Sequence, residues 1–170
     1  FISAAILPIL ISIDVIFQYI FGFNIIGLEG MVRHNSSFFG DEVIAGGYIQ
    51  NFSFFSILFL TNIIRNNNNF LKIILTTSAI SLLAIGILLS GNRMPFALFL
   101  LGLLLLFFLG KNFKNIIIVS CFIIYIFFQF ITSFDRNVIN HYGSFYDNVK
   151  DSVVYLSKKT KNNFLTSKKK

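Results

Sequence analysis

The chain is poor in the residues that build disulfides and metal sites. Its 170 residues include one cysteine, Cys121, and two histidines, His34 and His141. One thiol cannot form a disulfide or a thiolate metal set within the chain, and two distant histidines lack the spacing of a ligand motif. We therefore expect no metal and no cofactor, and we interpret Cys121 as a small apolar packing residue.

Charged residues are also scarce. They make up 12% of the chain, hydrophobic residues make up 55%, and the mean hydropathy is +0.77. A soluble domain of this size does not need so much apolar surface, so the composition predicts an all-α membrane protein that crosses the bilayer several times. Helices are the expected elements because the backbone must satisfy its own hydrogen bonds in lipid, and the apolar runs are too continuous for barrel strands.

Five apolar runs are long enough, or nearly so, to cross a hydrocarbon layer of roughly 30 Å as helices. We expect transmembrane helices over residues 2–21, 43–64, 73–89, 95–109 and 115–132. Residues 1–133 would then form a polytopic helical region, and the polar residues 134–170 would begin a large periplasmic loop. The chain starts without Met and stops within this polar stretch, so we interpret it as a piece of a longer protein, inactive alone.

Basic residues in the short loops predict the orientation of these helices. Four of them fall on one side of the membrane, whereas the other side has only Arg33 and Arg93. Because short cytoplasmic loops carry an excess of Lys and Arg, we expect Arg33 and Arg93 to face outward together with the polar tail.

Arg93 lies in the short connection between the third and fourth apolar runs, with the sequence Ser90-Gly91-Asn92-Arg93. A guanidinium is costly in lipid, so it must lie at the interface, form a pair or line a wet cavity. Two arginines that converge on one outer cavity suit a diphosphate, because their planar forks match phosphate oxygens. The alternatives are a snorkelling interfacial residue for Arg93 and an ion-paired loop residue for Arg33.

Three further residues of the outer face are weak candidates for a catalytic base: Asp41, Glu42 and His141. A histidine titrates in the range that a base requires. Acids that begin a helix also stabilise it through the helix dipole, so a purely structural role is the alternative for Asp41 and Glu42.

Asp14 and Gln18 are polar residues within the first apolar run, and their spacing of four places them on one helix face. An acid inside a membrane helix usually faces the bundle and marks a partner or a transport path. The alternative is a structural hydrogen bond to a neighbouring helix.

Two motifs occur in a defined order. The first is a Gln-Tyr-x-x-Gly helix end at residues 18–22, followed by Arg33 and by Phe-Gly at residues 39–40. The second is the Ser-Gly-Asn-Arg connection at residues 90–93. In this order they resemble the O-antigen ligase and O-antigen polymerase superfamily of bacterial envelopes, and the resemblance covers roughly residues 14–133.

The resemblance implies a metal-independent, multi-pass glycosyltransferase of the bacterial inner membrane. It would move a glycan from an undecaprenyl-diphosphate carrier to a periplasmic acceptor hydroxyl, on lipid A-core during lipopolysaccharide biosynthesis or on a growing polysaccharide. Arg33 and Arg93 would bind the diphosphate. Its partners would be this donor, the acceptor and membrane lipids, and no nucleic acid, because the basic tail lacks interleaved aromatics.

The chain departs from the family pattern in two places. Met94-Pro95 follows the arginine where the family often has a small residue, and His141 lies too early in the outer loop to match the family's histidine. The catalytic base therefore stays unassigned. A membrane transporter or lipid-linked glycan flippase, with Asp14, Gln18 and the arginines along its path, is the alternative function, and a non-catalytic scaffold is another.

Overall fold

The computed structural model describes residues 2–30, 34–40, 42–63, 69–110, 114–134, 150–151 and 155. These residues form five α-helices and one short 3-10 helix, and they contain no β-strand beyond an isolated bridge between Phe23 and Glu29. The helices are α1 (Ile2–Phe21), α2 (Ala45–Ile63), α3 (Asn69–Leu89), α4 (Arg93–Leu109) and α5 (Lys114–Phe134), and the 3-10 helix, η1, is Ser37–Phe39. The prediction of an all-helical chain is confirmed for this part of the sequence.

Two helices are long and apolar enough to cross a membrane, α1 and the first 20 residues of α5. The apolar segments Ile73–Leu89 and Arg93–Phe108 are shorter. Large apolar side chains are exposed along the helices, and Phe108 and Phe122 show 71% and 64% of their surface. An exterior of this kind marks contact with lipid or with another protein, which agrees with membrane association of the two long apolar helices.

The helices begin and end close to the limits of the apolar runs, with two differences. The prediction started the third helix at residue 73, whereas α3 begins at Asn69, because its polar first turn continues the helix. The prediction started the fourth helix at Pro95, whereas α4 begins at Arg93, after an extended Asn92 with φ −92° and ψ 106°. Pro95 is thus the third helical residue, where its missing N–H breaks no intrahelical bond.

The first three helices pack against one another, and α4 packs on α2 and α3. Their shared core includes the fully buried side chains Val15, Ile49, Ile80, Leu83 and Phe99. The chain divides into two compact units, Phe1–Gln129 and Phe130–Lys170, and this core belongs to the first. The described residues of the second unit are the last turn of α5 and residues 150, 151 and 155.

Glycines let two pairs of helices approach closely. A Cβ at Gly86 of α3 would lie 2.7 Å from Cβ of Ser12 on α1, and a Cβ at Gly102 of α4 would overlap the ring of Phe54 on α2. Small residues at such crossings allow backbone-to-backbone packing, which drives helix association in membranes.

Candidate functional site

Asp14 binds the segment between α1 and α2 with both of its carboxyl oxygens. Oδ1 accepts a hydrogen bond from the backbone N–H of Ile25 at 2.9 Å, and Oδ2 accepts one from the hydroxyl of Ser37 at 2.5 Å. The Asp14 side chain is fully buried. Because Asp14 lies seven residues before the end of α1, the bound segment reaches roughly 10 Å along that helix.

Gln18 binds the same segment one helical turn later. Its Oε1 accepts a hydrogen bond from the backbone N–H of Ser37 at 2.8 Å, and its Nε2 donates to the carbonyl of Leu28 at 3.3 Å. The residue is 1% exposed. The amide group of Gln18 thus satisfies one donor and one acceptor of a non-helical backbone that would otherwise be costly to bury.

Asn24 folds the beginning of the segment onto itself. Its Oδ1 accepts hydrogen bonds from the N–H groups of Ile26 and Leu28 at 3.1 and 2.7 Å, and its Nδ2 donates to the carbonyl of Ser37 at 2.7 Å. Asparagine side chains commonly stabilise turns in this way. We call Asp14, Gln18, Asn24 and Ser37 the clamp cluster, because together they hold the segment on α1.

Ser37 is the residue on which the clamp cluster converges. It is fully buried, and its N–H, hydroxyl and carbonyl bind Gln18, Asp14 and Asn24 respectively. Its φ of +54° is the only positive value at a non-glycine residue in the described part of the chain. This conformation costs about 1–2 kcal/mol, which the three hydrogen bonds offset.

In the clamp cluster, Asp14 and Gln18 bind the segment that follows α1, a role that was not predicted from the sequence. We expected a transport path, a partner or a bond to a neighbouring helix, whereas both side chains bind a loop. Sequence reasoning missed Asn24 and Ser37 altogether. An available signal for Asn24 was its position three residues before Gly27, a spacing typical of a turn.

A second set of contacts joins this segment to the Ser90–Arg93 connection. Nδ2 of Asn35 donates to the carbonyl of Leu89 at 2.8 Å, and Nδ2 of Asn92 donates to the carbonyl of Val43 at 2.9 Å. The segment between α1 and α2 and the connection between α3 and α4 therefore lie at the same end of the first unit. The Asn35 amide also caps one of the unpaired carbonyls at the end of α3.

Arg93 is the first residue of α4 and is half-buried. The sequence predicts Arg93 in the connection, but the turn itself is made by Ser90, Gly91 and Asn92, with Gly91 at φ +78°. The start of a helix carries a partial positive charge, and Arg93 adds a full one at the same place. Both terms have the sign that an anion would require.

Of the other predicted site residues, the structure describes only Glu42. Glu42 is exposed and precedes α2, and its N–H donates to the carbonyl of Phe39 at 3.1 Å. Arg33, Asp41 and His141 lie outside the described residues, so the meeting of Arg33 with Arg93 stays a prediction. In the part of the chain that the structure describes, no three His, Cys, Asp or Glu side chains are grouped to hold a metal ion.

A pocket of about 500 Å³ lies beside the start of α4. We call it the turn pocket, and its described lining is Val43, Ile44, Gly47, Tyr48, Asn51, Asn92 and Pro95. A second cavity of about 540 Å³ lies between α1, α3 and α5 and is lined mainly by isoleucine and leucine, with the hydroxyl residues Thr77, Ser78 and Ser81. Of these two cavities, the turn pocket includes a residue of the arginine connection, Asn92.

Comparisons of the chain with protein-family models, with curated proteins and with solved structures gave no match.

Proposed function

We propose that the chain belongs to a multi-pass protein of the bacterial inner membrane that acts as an O-antigen ligase-like or polymerase-like glycosyltransferase. It would move a glycan from an undecaprenyl-diphosphate carrier to an acceptor hydroxyl at the periplasmic face. The observation that carries the proposal is the pair of hydrogen bonds from Asn35 to Leu89 and from Asn92 to Val43, which bring the outer loop to Arg93.

In this proposal all five α-helices cross the membrane. Their lengths of 17 to 21 residues correspond to about 25–31 Å, which is close to the thickness of the hydrocarbon layer. The exposed apolar side chains would face lipid. The end that holds Arg93 would face the periplasm, because the basic residues of the opposite loops favour the cytoplasm.

Arg93 would bind the diphosphate of the donor. The acceptor oxygen attacks the anomeric carbon, the bond from that carbon to the diphosphate oxygen breaks, and the diphosphate leaves with the electron pair. Negative charge on the diphosphate grows during this step, so a fixed guanidinium at a helix start stabilises the transition state more than the bound donor. Arg33 is the proposed second cation.

The proton of the acceptor hydroxyl must pass to a base. Glu42 is the described candidate, because it is exposed and directly precedes the turn pocket residue Val43. Asp41 and His141 are the other candidates and lie outside the described residues.

The clamp cluster supports an enzyme over a transporter or flippase. A transport path through the bundle would use Asp14 and Gln18 to face a wet cavity. Both side chains instead bind the backbone of the outer segment, where they help to place that segment over the helix ends.

The test is a substitution at Arg93 in the complete protein, expressed in cells that lack the unsubstituted copy. Arg93→Lys keeps the charge and loses the planar fork, so we expect glycan transfer to fall by about tenfold or more at equal protein level. Lys114→Arg is the matched control, because Lys114 lies at the start of α5 with its ammonium 5.7 Å from the Phe107 ring centre. Unchanged transfer by both Arg93→Lys and Arg93→Gln would refute the proposal.

A further inference from the structure

Two buried hydroxyls on one face of α3 have no hydrogen-bond partner among the described residues. They are Oγ1 of Thr77 and Oγ of Ser81, and each residue is 6% exposed. A hydroxyl that is buried without a partner costs free energy, so native proteins rarely keep one that no other group satisfies. These two hydroxyls therefore point to a polar group that comes from a bound molecule.

The buried hydroxyls of the other helices show the usual alternative. Each donates to a carbonyl three or four residues earlier in its own helix: Ser12, Ser53, Ser56, Thr61 and Ser120. The same bond is open to Thr77 and Ser81, because both lie within α3 and have helical residues before them, but neither makes it. Their hydroxyls are thus directed away from the backbone of their own helix.

Thr77 and Ser81 both line the cavity of about 540 Å³ between α1, α3 and α5, which we call the hydroxyl groove. Its other walls are mainly aliphatic. Ile73, Ile74 and Ser78 line it as well and are exposed, so the groove opens to the exterior of the first unit. A molecule can therefore enter the groove from the side and reach the two hydroxyls.

The hydroxyl groove is long and narrow. Its lining residues on α3 extend from Ile73 to Ile85, which corresponds to about 18 Å along the helix. Together with the volume, this length gives a mean width of about 6 Å. A helix with its side chains is roughly 10–12 Å wide and does not fit, whereas a methylene chain, whose carbons need roughly 4 Å to their neighbours, does. The dimensions favour a single hydrocarbon chain.

The two hydroxyls distinguish between kinds of hydrocarbon chain. An isoprenoid or alkane chain has no oxygen along its length and would leave Thr77 and Ser81 without acceptors. The ester carbonyl of a fatty acyl chain has two lone pairs, and residues four apart share a helix face, so both hydroxyls can donate to it. Thr77 also lies one turn inside the apolar segment Ile73–Leu89, close to the level at which the ester groups of a lipid meet its chains.

We propose that the hydroxyl groove binds one acyl chain of a membrane glycerolipid, with its ester carbonyl held by Thr77 and Ser81. This lipid is a bound partner and not the donor of the proposed transfer, because that donor carries an isoprenoid chain. Thr77 also lies 12 residues before the end of α3, about 18 Å along the helix from the connection that leads to Arg93. The inference is thus independent of the proposed function.

A comparison of two lipids tests the ester carbonyl directly. The complete protein in detergent is mixed with equal amounts of two phosphatidylglycerols that have the same chain lengths, one with ester links and one with ether links. Native mass spectrometry then measures which lipid stays bound, since the two differ in mass. We expect the ester lipid to be retained over the ether lipid by about threefold or more, the scale of one hydrogen bond.

Substitutions on α3 assign this preference to the groove. Thr77→Val and Ser81→Ala should each reduce the preference for the ester lipid, and Ser78→Phe should lower the retention of both lipids by filling the open side of the groove. Thr76→Val is the matched control, because Thr76 is the neighbouring residue, is buried and also lacks a partner among the described residues, but does not line the groove. It should keep the preference of the unsubstituted protein.

Thermal unfolding of the same variants excludes a folding defect as the cause. In lipid-free detergent, Thr77→Val removes a buried hydroxyl without a partner, so its midpoint should be equal or higher. Addition of the ester lipid should raise the midpoint of the unsubstituted protein and of Thr76→Val more than that of Thr77→Val, because a ligand stabilises the form that binds it.

Equal retention of the ester and ether lipids by the unsubstituted protein would overturn the inference, and so would an unchanged preference in Thr77→Val. Retention of a second protein chain in place of lipid would also overturn it and would assign the groove to a partner helix. Because no glycan donor is present, each of these results is separate from the outcome of the Arg93 transfer assay.

Discussion

The hydroxyl of Ser37 donates a hydrogen bond to Oδ2 of Asp14 at 2.5 Å, and this contact joins residues 23 positions apart in the chain. The same carboxyl group accepts the N–H of Ile25 through its other oxygen. One buried side chain of α1 therefore holds two separate parts of the segment between α1 and α2.

Replacement of Asp14 should destabilise the protein strongly. Asp14→Leu leaves the Ile25 N–H and the Ser37 hydroxyl without acceptors, at a cost of about 1–3 kcal/mol for each group. Asp14→Asn keeps one acceptor oxygen and should cost less. Thermal unfolding in detergent, followed by circular dichroism, measures the midpoints of the two variants, and the Asp14→Leu midpoint should be the lower one. An Asp14→Leu midpoint equal to that of the exposed-site control Ser3→Ala would show that the clamp cluster does not contribute to stability.

Two substitutions at Ser37 distinguish the contribution of its hydroxyl to stability from the cost of its positive φ. Both Ser37→Ala and Ser37→Gly remove the bond to Asp14, but only glycine adopts a φ of +54° without a steric penalty. We expect Ser37→Gly to be more stable than Ser37→Ala by about 1 kcal/mol. Chemical denaturation measures this difference, and the opposite order would mean that position 37 is not in the left-handed region.

Alanine should have opposite effects at the adjacent glycines 46 and 47. Gly46→Ala forces α2 away from Ser90 and Asn92 and should cost about 1–3 kcal/mol, whereas Gly47→Ala should stabilise by about 0.5–1 kcal/mol. Each variant is the matched control for the other, since both add one methyl group to the same helical turn. Parallel thermal melts measure the midpoints of the two variants. Equal shifts of the midpoint would contradict the close contact of Gly46 with Ser90 and Asn92.

The amide of Asn35 should restrain the outer segment against the end of α3. Asn35→Ala removes the bond to the Leu89 carbonyl and should cost about 1–2 kcal/mol. The N–H groups of η1 should then exchange with deuterium severalfold faster, whereas those in the middle of α2 should not. Asn51→Ala, which removes an exposed amide without partners among the described residues, serves as the control. Unaltered exchange in η1 would show that this bond does not hold the segment.

Positions 33 and 93 should react from the same side of the membrane. In a Cys121→Ser background, Arg33→Cys and Arg93→Cys should both react with a membrane-impermeant maleimide added to spheroplasts, because the proposed topology places both positions on the outer face. Lys114→Cys should react only after the membrane is opened. Labelling of positions 33 and 93 from opposite sides would exclude their joint action on one diphosphate.

The helices followed from the sequence because long apolar runs without charges favour helices of matching length. Two of their starts did not, since a polar first turn at Asn69 and an extended Asn92 depend on local backbone geometry that apolar runs do not encode. The start of α4 is an example, because Arg93 and Met94 were predicted to lie before the helix and belong to its first turn.

The candidate site was predictable in part. The spacing of Asp14 and Gln18 predicts a shared face, and both side chains are buried. Their partners were not predictable, because they are largely backbone groups of a loop, and hydrogen bonds to backbone leave no pattern in residue types. The conformation of Ser37 is a further example, since a serine gives no indication of a positive φ.

The bond between Asn35 and Leu89 also constrains how the protein is made. The two residues are 54 positions apart, so the ribosome must extend the chain past α3 before Asn35 can reach its acceptor. The Asn92 contact with Val43 imposes the same order. The segment between α1 and α2 therefore reaches its final shape only after α3 has been made.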